Sequence, residues 1–164
     1  MSAVIENHEH DHHGPQKGIL RWLFTTNHKD IGTLYLWFSF LMFLTGGAMA
    51  MGIRAELFEP GLQLMDPIRY NQLVTMHGLI MIFGAVMPAF VGLANWLIPM
   101  QIGAPDMALP RMNNLSFWLL PSAFIILLST AFMEGGMPGF GWTFYAPLST
   151  CLLYTSPSPR DTDK

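Results

Sequence analysis

Charge is what this chain has least of. Asp, Glu, Lys and Arg make up 12% of its 164 residues, about half the share found in an ordinary soluble domain. Three long stretches, 31–53, 70–105 and 112–133, contain none of them. Cysteine is nearly absent as well: Cys151 stands alone, which excludes an internal disulfide. No basic patch with interleaved aromatics occurs, so no nucleic-acid partner is expected. Residues 1–18 lack the apolar core of a secretory leader, and no internal repeat breaks the sequence into modules.

What the chain has instead is apolar surface. Hydrophobic residues reach 51% and the mean hydropathy is +0.35. A bilayer core about 30 Å thick is crossed by roughly 20 residues of helix, and each uncharged stretch is long enough. The predicted fold class is an all-α membrane protein with three transmembrane helices over about 31–53, 71–98 and 114–132. They should run up, down and up, pack in sequence order, and ease at Pro88 in the second. Residues 18–30 read as an interfacial lead-in, with Trp22 and Phe24 at headgroup depth beside Lys17, Arg21 and Lys29. Lys17, Arg21, Lys29 and Arg111 fall on one side of the predicted spans, against Arg54 and Arg69 on the other. This bias puts the N-terminus and the loop around Asp106 in the cytoplasm.

The two ends differ from the middle. The polar arm, 1–18, carries His8, His10, His12 and His13. Such a cluster suits metal capture, but no carboxylate or thiol scaffold fixes its geometry, and a solvated tail is the preferred reading. The last segment, 151–164, is turn-rich, and 151–161 reads as the in-frame translation of a common transposon-based sequencing adapter. It is expected to be foreign to the gene and is left out of the fold. The domain scheme is therefore an arm (1–18), three helices with their loops (19–150) and a non-native tail (151–164).

Few residues in the middle segment offer chemistry. His77, in TMHGLIM, stands at membrane depth, where an ionisable group is costly unless liganded or paired. A neutral imidazole there suits a haem iron; a hydrogen-bonded structural histidine is the competing reading. Gly78 beside it leaves room for a flat cofactor. Thr45, Gly46, Gly47 and Ala48 form a small-residue patch that suits close helix packing or a cofactor edge. Arg54, at the end of the first helix, is either a snorkelling cation or a charge that tunes a cofactor near His77. Asp106 is either a solvated loop carboxylate or a proton collector. In the second case Asn95, Asn113 and Asn114 would hold the water file behind it.

Longer blocks narrow these alternatives. TTNHKDIGTLYLWF, IRAEL followed by PG, TMHGLIMIFGAVMPAFVGLANWLIP, IGAPDMALPRMNNLSFWLLP and GWTFYAPLS occur in this order. With them, residues from about 22 to 150 resemble the start of subunit I of the cytochrome c oxidase family, in the haem–copper oxygen reductase superfamily. The resemblance implies a twelve-helix bundle truncated to three helices. It also implies a terminal respiratory oxidase that reduces O₂ to water with electrons from cytochrome c and pumps protons. By the same resemblance His77 is an axial ligand of the low-spin haem and Arg54 contacts that haem's formyl group. Asp106, Asn95, Asn113 and Asn114 form the mouth of a proton channel. Glu56, Glu59 and Gly61 match an outer-side calcium or sodium site, which suits oxygen donors. The implied partners are a copper-bearing subunit that receives electrons, subunit III, cytochrome c and membrane lipid, in a bacterial inner membrane. A second haem and a copper ion belong to the complete subunit, and their ligands are not in this chain. This chain by itself is therefore expected to be inactive. Two further readings stand beside this one: a quinol-oxidising member of the superfamily, and a small three-helix metal-binding or scaffold protein.

Overall fold

The computed structural model describes residues 18–61, 63–133, 135–147 and 149. The expectations for the histidine arm up to residue 17 and for the 151–164 tail lie outside the described residues. The elements in order are α1 (Ile19–Leu23), α2 (His28–Glu56), α3 (Pro67–Leu79), a π-helical segment (Ile80–Val86), α4 (Met87–Ile102) and α5 (Pro110–Ser129). A single 3₁₀ turn, Thr130–Phe132, ends α5. There is no strand among the described residues. The segments α3, π and α4 run on as one span, Pro67–Ile102, so the described residues form three helices long and apolar enough to cross a membrane. The expected all-α membrane fold is the observed one.

Every span begins before its charge-free run does, because caps and not charges start helices. Asn27 accepts a hydrogen bond from the Lys29 amide at 3.0 Å and opens α2, with Asp30 in the first turn. Pro67 and Pro110 open α3 and α5 at a point where the missing N–H would have had no helical partner. At the other end of α4, Gly103 takes the left-handed conformation (φ 70°), and the Ala104 amide donates to Pro99 O at 2.9 Å. The second span is 36 residues long, about 54 Å, and so extends well past a bilayer core.

The easing predicted at Pro88 lies one turn earlier. A proline ring inside a helix clashes with the carbonyl four residues back and removes one hydrogen bond. The chain meets this with a wider π-helical turn over Ile80–Val86, just before Pro88.

The first span is the centre of the bundle. It crosses the second span antiparallel: Gly46 meets Met81, and Gly32 meets Gly92 and Trp96. It runs parallel to α5. Tyr35 Oη and Ser116 Oγ are 3.0 Å apart, and the rings of Phe38 and Phe124 stack edge-on at 5.5 Å. The expected packing in sequence order is thus corrected. The second and third spans meet mainly at side chains, such as the Phe124 ring over Gly84, while α2 carries the backbone approach. The reason is glycine. A Cβ on Gly92 would stand 3.0 Å from Gly32 O, and one on Gly32 would stand 2.9 Å from Gly92 O. Since both obstacles are backbone atoms, neither yields. Gly92→Ala should therefore part the first two spans and destabilise the bundle by about 1–3 kcal/mol, the usual range for overpacking. Thermal unfolding in lipid or detergent measures this, and an unchanged midpoint would contradict it.

Most of the apolar surface is left open. Only 11% of the most apolar window of the third span is buried, and Leu115, Leu119, Ile125 and Ile126 all face outward. Such a surface belongs against lipid or further helices.

Candidate functional site

The crossing of the first two spans builds the environment of His77. A side chain at Gly46 would strike Met81 Sδ at 2.6 Å, so glycine is what lets α2 come close here. The close approach brings Gly46 O to 2.9 Å from His77 Nδ1. A carbonyl only accepts, so Nδ1 carries the proton and donates it, leaving the lone pair on Nε2. Nε2 has no hydrogen-bond partner among the described residues. A fixed ring with a free Nε2 is the usual arrangement of a metal-ligating imidazole. The α2 backbone beside it is open: a Cβ on Gly47 would meet nothing within 4 Å.

Gly78 behaves otherwise than expected. The space beside it is filled by Trp142, whose Cδ1 lies 2.8 Å from where a Cβ would stand. The loop that carries Trp142 is fastened to α3. The Gly141 amide donates to the buried Thr75 Oγ1 at 2.9 Å, and Gln72 Nε2 donates to Gly135 O at 3.2 Å. Gly78 therefore admits an indole, and the open approach lies on the Gly47 side. In the sequence Trp142 stands out only as part of the GWTFYAPLS block, since its partner Gly78 is remote along the chain.

Arg54 lies eight residues beyond Gly46 on α2, about 12 Å along the axis. It is exposed, with no hydrogen bond or ion pair among the described residues. Hollows of about 420 and 600 Å³ flank it, both lined by Met51 and Phe58. Glu56 is different: it is buried, and its carboxylate accepts three backbone amides. Gln63 N donates to Oε1 at 2.9 Å, while Leu64 N and Met65 N donate to Oε2 at 2.8 and 3.0 Å. This carboxylate closes the loop between α2 and α3. Glu59 is linked to it through Gln63, whose Nε2 reaches Glu59 Oε2 at 3.4 Å. Gly61 supplies a turn at φ 114°. Among the described residues no three Asp, Glu, His or Cys side chains gather as a metal cluster.

The amides come together at the far end of the second span. Asn113 Nδ2 donates to Asn95 Oδ1 at 2.9 Å, and Asn95 Nδ2 donates to Val91 O at 3.0 Å. Asn114 turns to the lead-in, where its Nδ2 and Trp118 Nε1 share Leu23 O at 3.0 and 3.2 Å. Its Oδ1 is buried with no hydrogen-bond partner among the described residues. Asp106 is exposed and accepts only its neighbour's amide, Met107 N, at 2.8 Å. Met107 in turn places its sulfur 3.1 Å from Asn113 Nδ2, so the carboxylate sits beside the amide pair without bonding to it. His28 was missed in sequence. It is buried and sets its Nδ1 2.9 Å from Asn95 O, tying the start of α2 to the amide cluster.

The comparison with known proteins decides the family. The model of the family described as Cytochrome C and Quinol oxidase polypeptide I matches residues 30–160. The chain belongs to this family. The match takes in His77, Arg54, Asp106 and all three asparagines, and it ends inside the 151–164 segment. Among curated oxidase relatives, cytochrome c oxidase subunit 1 of Corynebacterium diphtheriae is 46% identical over 141 residues, 85% of this chain and 25% of the relative. The subunit 1 of Corynebacterium efficiens is 46% identical over 139 residues, with 84% and 24% covered. That of Corynebacterium glutamicum is 45% identical over 139 residues, with the same shares. The chain spans about a quarter of the length of these oxidase subunits.

Proposed function

We propose that this chain forms the first three spans of the catalytic subunit of a terminal oxidase, one that passes electrons from cytochrome c to O₂ and pumps protons. The observation that carries the reading is the His77 imidazole, held through Nδ1 by Gly46 O with Nε2 free. A low-spin haem, when bound there, supplies one-electron transfer. The residues of this chain fit it: His77 offers one axial nitrogen, Gly47 leaves the helix surface clear, and the unpaired Arg54 guanidinium stands beyond it. The second haem and the copper would be held by residues outside this chain. The open apolar faces suit the remaining helices of the subunit, with the copper-bearing subunit, subunit III and lipid around them.

In this reading the membrane is a bacterial inner membrane, and the charge bias supports an Asp106 loop and N-terminus on its cytoplasmic side. Asp106 there collects protons, and the Asn95, Asn113 and Asn114 amides hold the water that takes them inward. At the outer loop, a calcium or sodium ion would be held by Glu56, Glu59 and the Gly61 backbone, as oxygen donors suit. Residues 151–164 are proposed as adapter-encoded.

Arg54→Leu in the complete subunit tests the cofactor reading. Reduction of the iron lowers its charge, so a nearby cation favours the reduced form. Removing the cation should keep the haem and lower its potential by on the order of tens of millivolts. A spectroscopic redox titration reads this, and an unshifted or raised potential would contradict it.

A further inference from the structure

Ser39 has no part in either site, yet it touches the one irregular turn in the second span. Its hydroxyl donates to Ala85 O at 2.6 Å, and both residues are buried. Ala85 lies within the π-helical segment, Ile80–Val86, between His77 and Asn95. Four polar bonds fasten the first span to the second: His28 to Asn95 O, Trp96 Nε1 to Thr33 Oγ1, Ser39 to Ala85 O and His77 to Gly46 O. Only the Ser39 bond ends within the π turn.

The register explains what that bond does. From His77 to Ala85 there are eight residues, and they run alongside the seven from Ser39 to Gly46. All but the last residue of the wider turn lie within that eight-residue interval. A π turn is less stable than an α turn and can pass its extra residue along the helix. If the residue moved toward His77, one residue of helical rotation, about 100°, would swing the imidazole away from Gly46. A hydroxyl bonded to a carbonyl inside the turn opposes that movement, with an interhelical bond in apolar surroundings. We propose that Ser39 is a positioning residue: it pins the π turn at Ala85 and so holds the His77 imidazole against Gly46. The consequence at the iron rests on the haem reading above; the pin itself does not.

The test uses this chain in lipid vesicles without haem. Two signals are followed: hydrogen exchange of the Ile80–Val86 amides and the ¹⁵N resonance of His77 Nδ1. Ser39→Ala should speed the exchange about fivefold, as expected from the loss of one hydrogen bond. It should also move the His77 resonance toward that of a free imidazole. Ser39→Thr keeps the hydroxyl and should restore both. Ser122→Ala removes a different hydroxyl, one that donates to Trp118 O at 2.9 Å on α5, and should change neither. An unmoved His77 resonance in Ser39→Ala would overturn the proposal, with or without faster exchange, and so would an equal effect of Ser122→Ala. If Ser39→Ala does not fold, the unsubstituted chain serves. A ¹³C=O label at Ala85 should absorb at lower frequency than one at Ala89, whose carbonyl has no side-chain donor; equal frequencies would overturn the pin. Haem titrated into the unsubstituted chain tests the other reading separately: a His77 resonance untouched by haem counts against ligation and leaves the pin standing.

Discussion

Replacing His77 by Ala in the complete subunit should remove the low-spin haem signal and slow electron transfer more than about a hundredfold. Loss of even an outer-shell partner of a metal ligand costs up to about a hundredfold, and this change would remove the proposed ligand itself. The substitution leaves the helix in place. Its neighbours Met76 and Ile80 belong to the buried core with Met42 and Phe124, and they keep α3 on α2. What is lost is the free Nε2 and the donor to Gly46 O. The optical and paramagnetic spectra of the purified variant give the readout. A low-spin signal of normal size would rule out ligation by His77 and leave it as a structural histidine tying two helices together.

Asp106→Asn should have the second largest effect. The change keeps size and shape and removes only the charge. Asp106 is exposed and makes no ion pair, so the fold and the haem content should survive. A positioned proton-transfer group contributes roughly 10²–10⁴-fold to a proton-limited step, and turnover should fall on the order of a hundredfold. Proton pumping should fall with it, while cytochrome c binding should not change. Oxygen consumption and proton release by the variant in sealed vesicles measure both. Normal pumping at normal turnover would make Asp106 a solvated loop residue.

The fold was legible in the sequence because membrane spans are written in the absence of charge, and 31–53, 70–105 and 112–133 lack it entirely. Their ends were less legible, since Asn27, Pro67 and Pro110 start helices inside charged, polar or turn-rich sequence. The central place of α2 was not legible at all. It depends on Gly32 meeting Gly92 across the bundle, and a contact between two distant glycines leaves no periodic trace. His77 could be found because a histidine at membrane depth is conspicuous. Its fixed Nδ1 could not, because the acceptor is a backbone carbonyl of another helix. Trp142 and His28 were hidden for the same reason, each acquiring its place only through a partner remote in sequence. Glu56 was visible as a carboxylate, while its three amide donors come from a loop whose shape the sequence does not spell out.

These three spans are the start of a larger haem-binding subunit if the parent gene, read past the codon for Thr150, continues in frame. The expected result is an open frame that departs from the 151–164 sequence and continues through further uncharged spans. Those spans should carry the second axial histidine and the copper ligands. A genomic reading frame that encodes 151–164 as written and stops after Lys164 would contradict it.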